Sequence, residues 1–329
     1  MLVLWDPNQN IETPLPNMPS GVARVYPASR TVAMLPLTPA NNYTPTMLFC
    51  AGSDMPADYR NYSWPFYNTW TYPASKDCQR LTPEPLDGSA PACEQDGDIL
   101  LGRTMGQFVS LPDGTVLVID SATNGTAGFA NQTLYVPSLD QMPFFQSLAS
   151  GPVGTPAIYN PNAPKGSRWS NAGLGSSSIA RMSHSTTILL PDASVLIAGS
   201  NPNLDVELTV PYPTTYTAEI FYPPYFWSSV RPQVTGVPQT LSYGVPYFNL
   251  TVSLTSYNGT SSNFQHRAPS AAKMQRMRRA ASRVQSPSML RTIDRSCSIC
   301  KDMGHSGEGT RARRATLYTT ENGIQTYGM

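Results

Sequence analysis

The sequence predicts an all-β protein built from β-hairpins that recur along the chain. The first observation is a repeated unit in which two apolar runs flank a short polar turn. The second is the regular spacing of these units, since Leu111 and Leu190, which precede the turns of two copies, are 79 residues apart. The third is that no long stretch carries apolar residues at helical spacing. Strands repeated at long, regular intervals are typical of propeller blades.

Three copies of the hairpin follow one another. Thr31–Ser53 holds the first, which has a long connection between its apolar runs. The second is FVSLPDGTVLVID over Phe108–Asp120, and the third lies in RMSHSTTILLPDASVLIAGSNPN over Arg181–Asn203. The strands are rich in Val, Leu, Ile, Thr and Tyr, and the turns in Pro, Asp, Asn and Gly. A second element, an aromatic or apolar run that ends at a proline turn, recurs at residues 2–8, 157–162 and 219–224.

Charge and proline content divide the chain near residue 265. Residues 1–264 hold 10 Lys and Arg against 17 Asp and Glu, a balance of −7, whereas residues 265–329 hold 12 against 4, a balance of +8. Only Pro269 and Pro287 of the 32 prolines lie in the second segment. Few charges and many prolines fit a loop-rich β body. We expect the basic tail, 265–329, to be disordered or translated in a wrong frame.

The glycan acceptor motifs indicate a secreted protein. Asn-x-Ser/Thr occurs at six positions, all before residue 265. They are Asn42, Asn61, Asn124, Asn131, Asn249 and Asn258. The start, MLVLWDPNQN, shows no basic region followed by an apolar core and a cleavage site. No apolar run approaches the ~20 residues that cross a membrane. We therefore expect a secreted body without a membrane span, in a sequence that begins too late.

The cysteines of the body leave their pairing open. Cys50, Cys78 and Cys93 are odd in number, so one thiol is unpaired or has a partner elsewhere. A bridge between Cys50 and Cys78 would close a loop, and so would one between Cys78 and Cys93. The sequence does not choose between them.

Several long segments resemble glyoxal oxidase, a fungal copper radical oxidase of the galactose oxidase type. They run in the family's order through about residue 260: Val22–Ser53, Asp77–Glu84, Gly102–Asp120, Asn124–Phe129, Arg181–Asn203 and Tyr212–Pro232. The resemblance implies the later blades of a kelch-like, galactose oxidase-type β-propeller over residues 1–228. It further implies the start of an immunoglobulin-like, early-set β-sandwich over 229–264.

The resemblance also implies a chemistry. The family oxidises a small aldehyde, or a carbohydrate-derived substrate, to the acid while O₂ is reduced to H₂O₂. It uses one copper ion and one radical on a tyrosine that is covalently joined to a cysteine. A second tyrosine and two histidines complete the copper site. The partners implied are the small substrate only, with no nucleic acid, and the protein is expected to be a monomer.

One copper ligand of this family can be matched. A motif resembling R-[LM]-Y-H-S occurs as Arg181-Met182-Ser183-His184-Ser185, so His184 is the predicted metal residue. Ser183 stands where the family has its tyrosine, and a serine hydroxyl is too short and too weakly acidic to replace a phenol. The Cys–Tyr pair belongs to blades that precede this chain's first strand. His266 and His305 lack the flanking residues of the family's second histidine loop. The resemblance thus leaves no intact catalytic residue and no cofactor-binding residue other than His184, and we expect the chain as it stands to be inactive.

Other interpretations remain open. Ser183 favours a non-catalytic, secreted, propeller-type binding protein of the fungal cell surface, and the chain is either a misannotated fragment or a degenerate paralogue. In the tail, Cys297, Cys300 and His305 have zinc-knuckle spacing, but Thr310 stands at the fourth position. The basic run 273–283 is commoner as a disordered tail than as a nucleic-acid site.

Overall fold

The structure is a computed structural model that describes residues 2–38, 40–53, 55, 67–228, 233–236, 240, 251–253, 316–319 and 324–328. These residues form 19 β-strands and four short 3-10 turns, so the prediction of an all-β protein is confirmed. The turns are Pro19–Gly21, Thr69–Thr71, Leu139–Gln141 and Pro224–Trp227. Within the described ranges, no helix has the length and apolar character that crossing a membrane requires.

The first half of the chain forms a hairpin and a four-stranded sheet. β1 (Leu2–Asp6) and β2 (Ile11–Leu15) pair with each other. The sheet contains β3 (Thr31–Met34), β4 (Met47–Cys50), β5 (Cys78–Leu81) and β6 (Cys93–Gln95), all antiparallel and in chain order. The pairing of β3 with β4 confirms the first predicted hairpin.

Two further sheets repeat this plan. The second contains β7 (Gln107–Ser110) and β8 (Val116–Ile119), then, after the separate hairpin of β9 (Ala122–Phe129) and β10 (Pro143–Pro152), β11 (Ala157–Tyr159) and β12 (Trp169–Ser170). The third contains β13 (Thr186–Leu189), β14 (Val195–Ala198) and β15 (Ala218–Phe221). The pairs β7–β8 and β13–β14 confirm the other two predicted hairpins. The recurring apolar run before a proline turn supplies β11 and β15, the third strand of each sheet.

The end of the chain is described only in part. β16 (Gln233–Thr235) pairs with β17 (Thr251–Ser253), which is all that is described of the predicted sandwich. β18 (Thr316–Thr319) pairs with β19 (Ile324–Gly328), and β19 pairs with β15 and so extends the third sheet. The remainder of 265–329 lies outside the described residues. The predicted boundaries at 228 and 264 therefore stay predictions.

The core lies between the sheets, and β8 explains how they stack. Successive side chains of a strand point to opposite faces, and all four residues of β8 are buried. Val116 and Val118 pack with residues of the first sheet, such as Leu48. Leu117 and Ile119 pack with residues of the third sheet, such as Ile197. An unbroken VLVI run is therefore the sequence of a strand that is covered on both faces.

A disulfide joins two strands of the first sheet. Cys50 and Cys78 are opposite each other in the register of β4 and β5, with their Cα atoms 4.1 Å apart. Cys93 is the remaining free thiol of the body and is half-buried. The structure thus selects one of the two pairings that the sequence left open.

Candidate functional site

In each of the three large sheets, the first strand begins and the second strand ends on the same side of the stack. We call this side the strand-end edge. Backbone hydrogen bonds join this edge from one sheet to the next. The N–H of Gly52, after β4, donates to the carbonyl of Arg103 at 3.1 Å, and the N–H of Ser121, after β8, donates to the carbonyl of Arg181 at 3.1 Å. The loops on this edge therefore form one continuous surface.

His184 lies on the strand-end edge, two residues before β13. Its backbone has a φ of 59°, in the left-handed region that non-glycine residues seldom adopt. Its side chain is exposed, whereas Met182 and Ser183 before it are buried. The carbonyl of Ser183 accepts hydrogen bonds from the Asn201 N–H at 2.8 Å and from the Ser200 Oγ at 3.2 Å. The loop is thus held by its neighbours while the imidazole faces solvent.

The buried side chain of Arg181 holds the backbone next to this loop in place. Its guanidinium is buried and donates to the carbonyls of Gly199 at 2.6 Å and Thr217 at 2.9 Å. It also forms a buried ion pair with Glu219 at 3.0 Å. One side chain therefore ties the end of β14 to the start of β15 beneath the histidine loop.

A buried arginine occurs at the corresponding place in each sheet, and we call this set the arginine clasp. Arg24, Arg103 and Arg181 are its three members, 79 and 78 residues apart. Arg24 pairs with the carboxylate of Asp77, beside the start of β5. Arg103 donates to the carbonyl of Asp120, after β8, at 3.0 Å. Sequence reasoning missed the clasp, although its spacing matches that of the hairpins and could have revealed it.

Asp120 is the unusual carboxyl group of the strand-end edge. It is buried, and burial raises its pKa to about 7, although the charge of Arg181 and a hydrogen bond from Ser185 act in the opposite direction. Its Oδ2 has no hydrogen-bond partner among the described residues. Burial also lowers the pKa of Arg103 to about 10, which the charge of Asp120 partly offsets. A carboxyl that is partly protonated at neutral pH therefore lies behind the histidine loop.

The metal-ligating side chains among the described residues do not form a complete copper site. Copper takes several imidazole, phenolate or other nitrogen and oxygen ligands at once. No three His, Cys, Asp or Glu side chains in the described ranges are grouped as a metal ion requires. His184 is the only histidine in those ranges. His266, His305 and the tail cysteines lie outside them, so the zinc knuckle stays a prediction, as does the absence of a second histidine ligand.

The glycan acceptor motifs differ in their surroundings. Asn131 is exposed. Asn124 lies in β9, where its Nδ2 donates to the Oγ1 of Thr123 at 3.1 Å and to the Oγ of Ser150 at 3.4 Å. An acceptor nitrogen that is engaged within a strand is poorly placed for modification. Asn61, Asn249 and Asn258 lie outside the described residues.

Comparison with known proteins finds relatives along most of the chain. The sequence profile described as glyoxal oxidase N-terminus matches residues 2–225. Aldehyde oxidase GLOX1 of Arabidopsis thaliana is 32% identical over 276 residues, which are 79% of this chain and 39% of the relative. Aldehyde oxidase GLOX of Vitis pseudoreticulata is 32% identical over 239 residues, 71% of this chain and 39% of the relative. The chain thus spans about two fifths of the length of these relatives.

Two further matches are more distant. A WSC domain-containing protein of Arthroderma benhamiae is 29% identical over 251 residues, 74% of this chain and 22% of the relative. Among solved structures, a fungal alcohol oxidase of the AA5 family in complex with copper is 18% identical, with a TM-score of 0.35, over 54% of this chain and 27% of that chain. A TM-score of this size supports no conclusion about architecture.

Proposed function

This chain belongs to the glyoxal oxidase family, and we propose that His184 is one ligand of a copper radical oxidase site and the one ligand that the family motif matches here. The reaction proposed for that site is the oxidation of a small aldehyde or a carbohydrate-derived substrate to the acid, with O₂ reduced to H₂O₂. When bound, copper would supply one of the two one-electron centres. We propose that this chain, on its own, does not complete the reaction.

The histidine loop is the observation that carries the proposal. His184 is exposed on the strand-end edge, at the position that the family resemblance assigns to a ligand. Ser183, at the position of the family's tyrosine, is buried and cannot reach a metal beside the imidazole as a phenol would. The radical site needs both one-electron centres. A single imidazole therefore supports weak metal binding and no turnover.

The stacking supports a finer architecture, which we also propose. Three antiparallel sheets packed face to face, with strands in chain order and one strand-end edge, are what later blades of a kelch-like propeller within 1–228 would form. The β16–β17 pair would begin an early-set sandwich within 229–264. We propose that the segment 265–329 is a basic tail that is foreign to the family's fold, although its residues 316–319 and 324–328 pair onto the third sheet as β18 and β19.

Secretion and a monomeric state are parts of the same proposal. The buried disulfide between Cys50 and Cys78 supports an oxidising compartment, as structural disulfides persist outside the cytosol. The exposed Asn131 motif supports it as well.

Copper loading of the purified chain tests the proposal. We expect Cu²⁺ to bind with the electron paramagnetic resonance signature of one protein nitrogen. His184→Ala should abolish that signature, whereas a matched His266→Ala/His305→Ala variant should keep it. With methylglyoxal as substrate, H₂O₂ release should not exceed that of His184→Ala.

Two outcomes would overturn the assignment. H₂O₂ production above the His184→Ala control would show that the chain is an active oxidase as it stands. A copper spectrum that does not change in His184→Ala would show that the metal is held elsewhere.

Ser183 also favours a second function, a non-catalytic binding protein of the fungal cell surface. A scaffold that has lost its tyrosine keeps its loops and can still bind a wall polysaccharide. Co-sedimentation with insoluble β-glucan and chitin tests this. Saturable binding that persists in His184→Ala supports it, and recovery of all protein in the supernatant with both polymers excludes it.

A further inference from the structure

The connection between β9 and β10 carries an exposed asparagine beside exposed apolar side chains. Asn131 begins the sequence Asn-Gln-Thr, an acceptor motif for N-linked glycan. Among the acceptor motifs in the described residues, Asn131 is exposed, whereas Asn42 and Asn124 are half-buried. Phe129 is 37% exposed and Leu134 is 64% exposed. Apolar side chains that gather on a surface usually mark a place that another group covers.

Phe129 and Asn131 point to the same side of the β9–β10 hairpin. Phe129 ends β9 and is opposite Ser147 of β10. The N–H of Ala130 donates to the carbonyl of Gln146 at 2.9 Å, so the pairing continues one residue beyond β9. Ala130 is buried in a core cluster. Because successive side chains of an extended chain point to opposite faces, the two neighbours of Ala130 both face solvent.

The amide of Asn131 is held by its oxygen and not by its nitrogen. The N–H of Leu204 donates to the Oε1 of Gln146 at 2.8 Å. A backbone N–H can only donate, so Gln146 must turn its Nε2 towards Asn131. This Nε2 donates to the Oδ1 of Asn131 at 2.7 Å. The Nδ2 of Asn131, the atom to which an N-linked glycan attaches, is therefore directed away from Gln146.

The turn that follows Asn131 is held by the threonine of the motif. Thr133 is buried, and its Oγ1 donates to the Oδ1 of Asn68 at 2.6 Å. The same oxygen accepts hydrogen bonds from the N–H groups of Tyr135 at 3.2 Å and Val136 at 3.0 Å. A sugar on Asn131 would therefore have a defined position relative to the hairpin.

We propose that Asn131 carries an N-linked glycan whose first sugar, N-acetylglucosamine, packs on the ring of Phe129. Attachment forms a bond between the Asn131 Nδ2 and C1 of this sugar. It breaks the bond between C1 and the pyrophosphate of a lipid-linked oligosaccharide, and the amide proton leaves with the lipid pyrophosphate. An aromatic ring offers a large apolar surface, and the C–H face of the sugar would cover it. The proposal rests on the secretion proposed above, because the lipid-linked donor belongs to the secretory pathway.

The full chain, expressed in yeast behind a cleavable secretion leader, tests the attachment. The leader supplies the export route, so the result does not depend on the chain's own export or on copper. Peptide-N-glycosidase in heavy-oxygen water labels each asparagine that carried a glycan, and mass spectrometry of the peptides locates the label. We expect label at Asn131 and none at Asn124. Asn131→Gln should lose one glycan, and Asn124→Gln should lose none.

The rate at which the same enzyme removes the glycan from the folded protein tests the packing. A first sugar that lies on Phe129 is shielded, so removal from Phe129→Ser should be about fivefold faster than from the parent protein. Leu86→Ser should leave the rate unchanged, because Leu86 is an exposed apolar residue in the β5–β6 connection. After denaturation, the three proteins should lose the glycan at equal rates.

Two outcomes would overturn the proposal. An unlabelled Asn131 in protein recovered from the medium or from the secretory membranes would reject the attachment, whether or not other motifs are labelled. Equal rates of removal from the folded parent protein and Phe129→Ser would reject the packing. If Phe129→Ser does not fold, nuclear Overhauser contacts between the sugar's N-acetyl methyl group and the Phe129 ring decide, and their absence rejects it. Neither result bears on the oxidase assignment, which copper loading tests separately.

Discussion

Asp120 stabilises its loop through its backbone carbonyl, whereas its buried side chain destabilises the folded state. Its backbone is left-handed, with a φ of 57°, and its carbonyl accepts the Arg103 hydrogen bond of the second clasp. Its carboxyl group, however, is buried with one oxygen unpaired in the described structure. Burying an ionised carboxylate without full hydrogen bonding is unfavourable. The residue therefore titrates near neutrality instead of near its ordinary pKa.

The raised pKa of Asp120 predicts a pH-dependent stability. Because the folded pKa is about 7 and the unfolded one ~3.9, the folded state binds the proton more tightly between these values. Stability should then decline by a few kcal/mol as pH rises from about 4 to 7, and the dependence should end above the folded pKa. Asp120→Asn should remove this decline. Urea unfolding across that pH range measures it.

A matched control is available for this experiment. Asp192 lies in the β13–β14 turn, and hydrogen bonds from Ser194 lower its pKa. Asp192→Asn should therefore leave the decline in place. Equal pH profiles for the parent protein and Asp120→Asn would contradict the prediction.

Among the elements, the first sheet has a covalent cross-link. β4 and β5 are joined by the disulfide of Cys50 and Cys78, which are separated by 28 residues in sequence. Much of the connection between these strands lies outside the described residues. Closing a loop of that length stabilises a fold by about 3–4 kcal/mol in the chain-entropy model. The disulfide thus offsets the entropy cost of the long connection between β4 and β5.

The disulfide gives a prediction for this element. Replacing Cys50 and Cys78 together with alanine should lower the free energy of unfolding by about 3–4 kcal/mol, because the unfolded chain regains loop entropy. Urea unfolding of the non-reduced protein measures the change. Cys93→Ala, at the half-buried free thiol, should cost less than about 1 kcal/mol. A double variant as stable as Cys93→Ala would contradict the role given to the bridge.

Sequence patterns predicted some elements well and could not predict others. β8 and β14 are apolar runs beside Pro-Asp turns, so their hairpins were visible. β6, CEQ, and β12, Trp169–Ser170, are short and partly polar, and only pairing with a neighbour makes them strands. The regular spacing of the clasp arginines was visible in the sequence, but several of their acceptors are backbone carbonyls, which no residue type encodes. A sequence motif identified His184. A cavity of about 310 Å³ beside the first sheet could not be predicted in this way, because its lining residues Leu2, Arg24 and Met55 are far apart in sequence and share no local pattern.

In the whole molecule, Asp96 joins the first two sheets. It follows β6 of the first sheet, and its carboxylate accepts hydrogen bonds from Tyr159 of β11 and from Arg168, which precedes β12. Arg80 of β5 completes the group at 2.9 Å. Burial alone would raise the pKa of Asp96, but the hydrogen bonds from Tyr159 and Arg168, with the charge of Arg80, lower it. The junction therefore favours the charged carboxylate.

Removing that charge should weaken both sheets at once. Asp96→Ala leaves two partly buried cations facing each other, and breaking a buried ion pair in this way costs about 3–5 kcal/mol. Tyr159→Phe removes two hydrogen bonds, the one that the phenol donates to Asp96 and the one that it accepts from the Arg80 Nε, and should cost about 1–3 kcal/mol. Urea unfolding measures both losses, and hydrogen exchange should show β5 and β11 losing protection together in Asp96→Ala.

Asp98 is the control for this junction, because it lies two residues away in the same EQDGD segment but is exposed. Asp98→Ala should change the free energy of unfolding by less than about 0.5 kcal/mol, as exposed sites usually do. The two aspartates look alike in sequence, and only the packing of the second sheet against the first distinguishes them. Equal losses in Asp96→Ala and Asp98→Ala, or loss of protection in β5 without β11, would show that the sheets do not depend on this carboxylate.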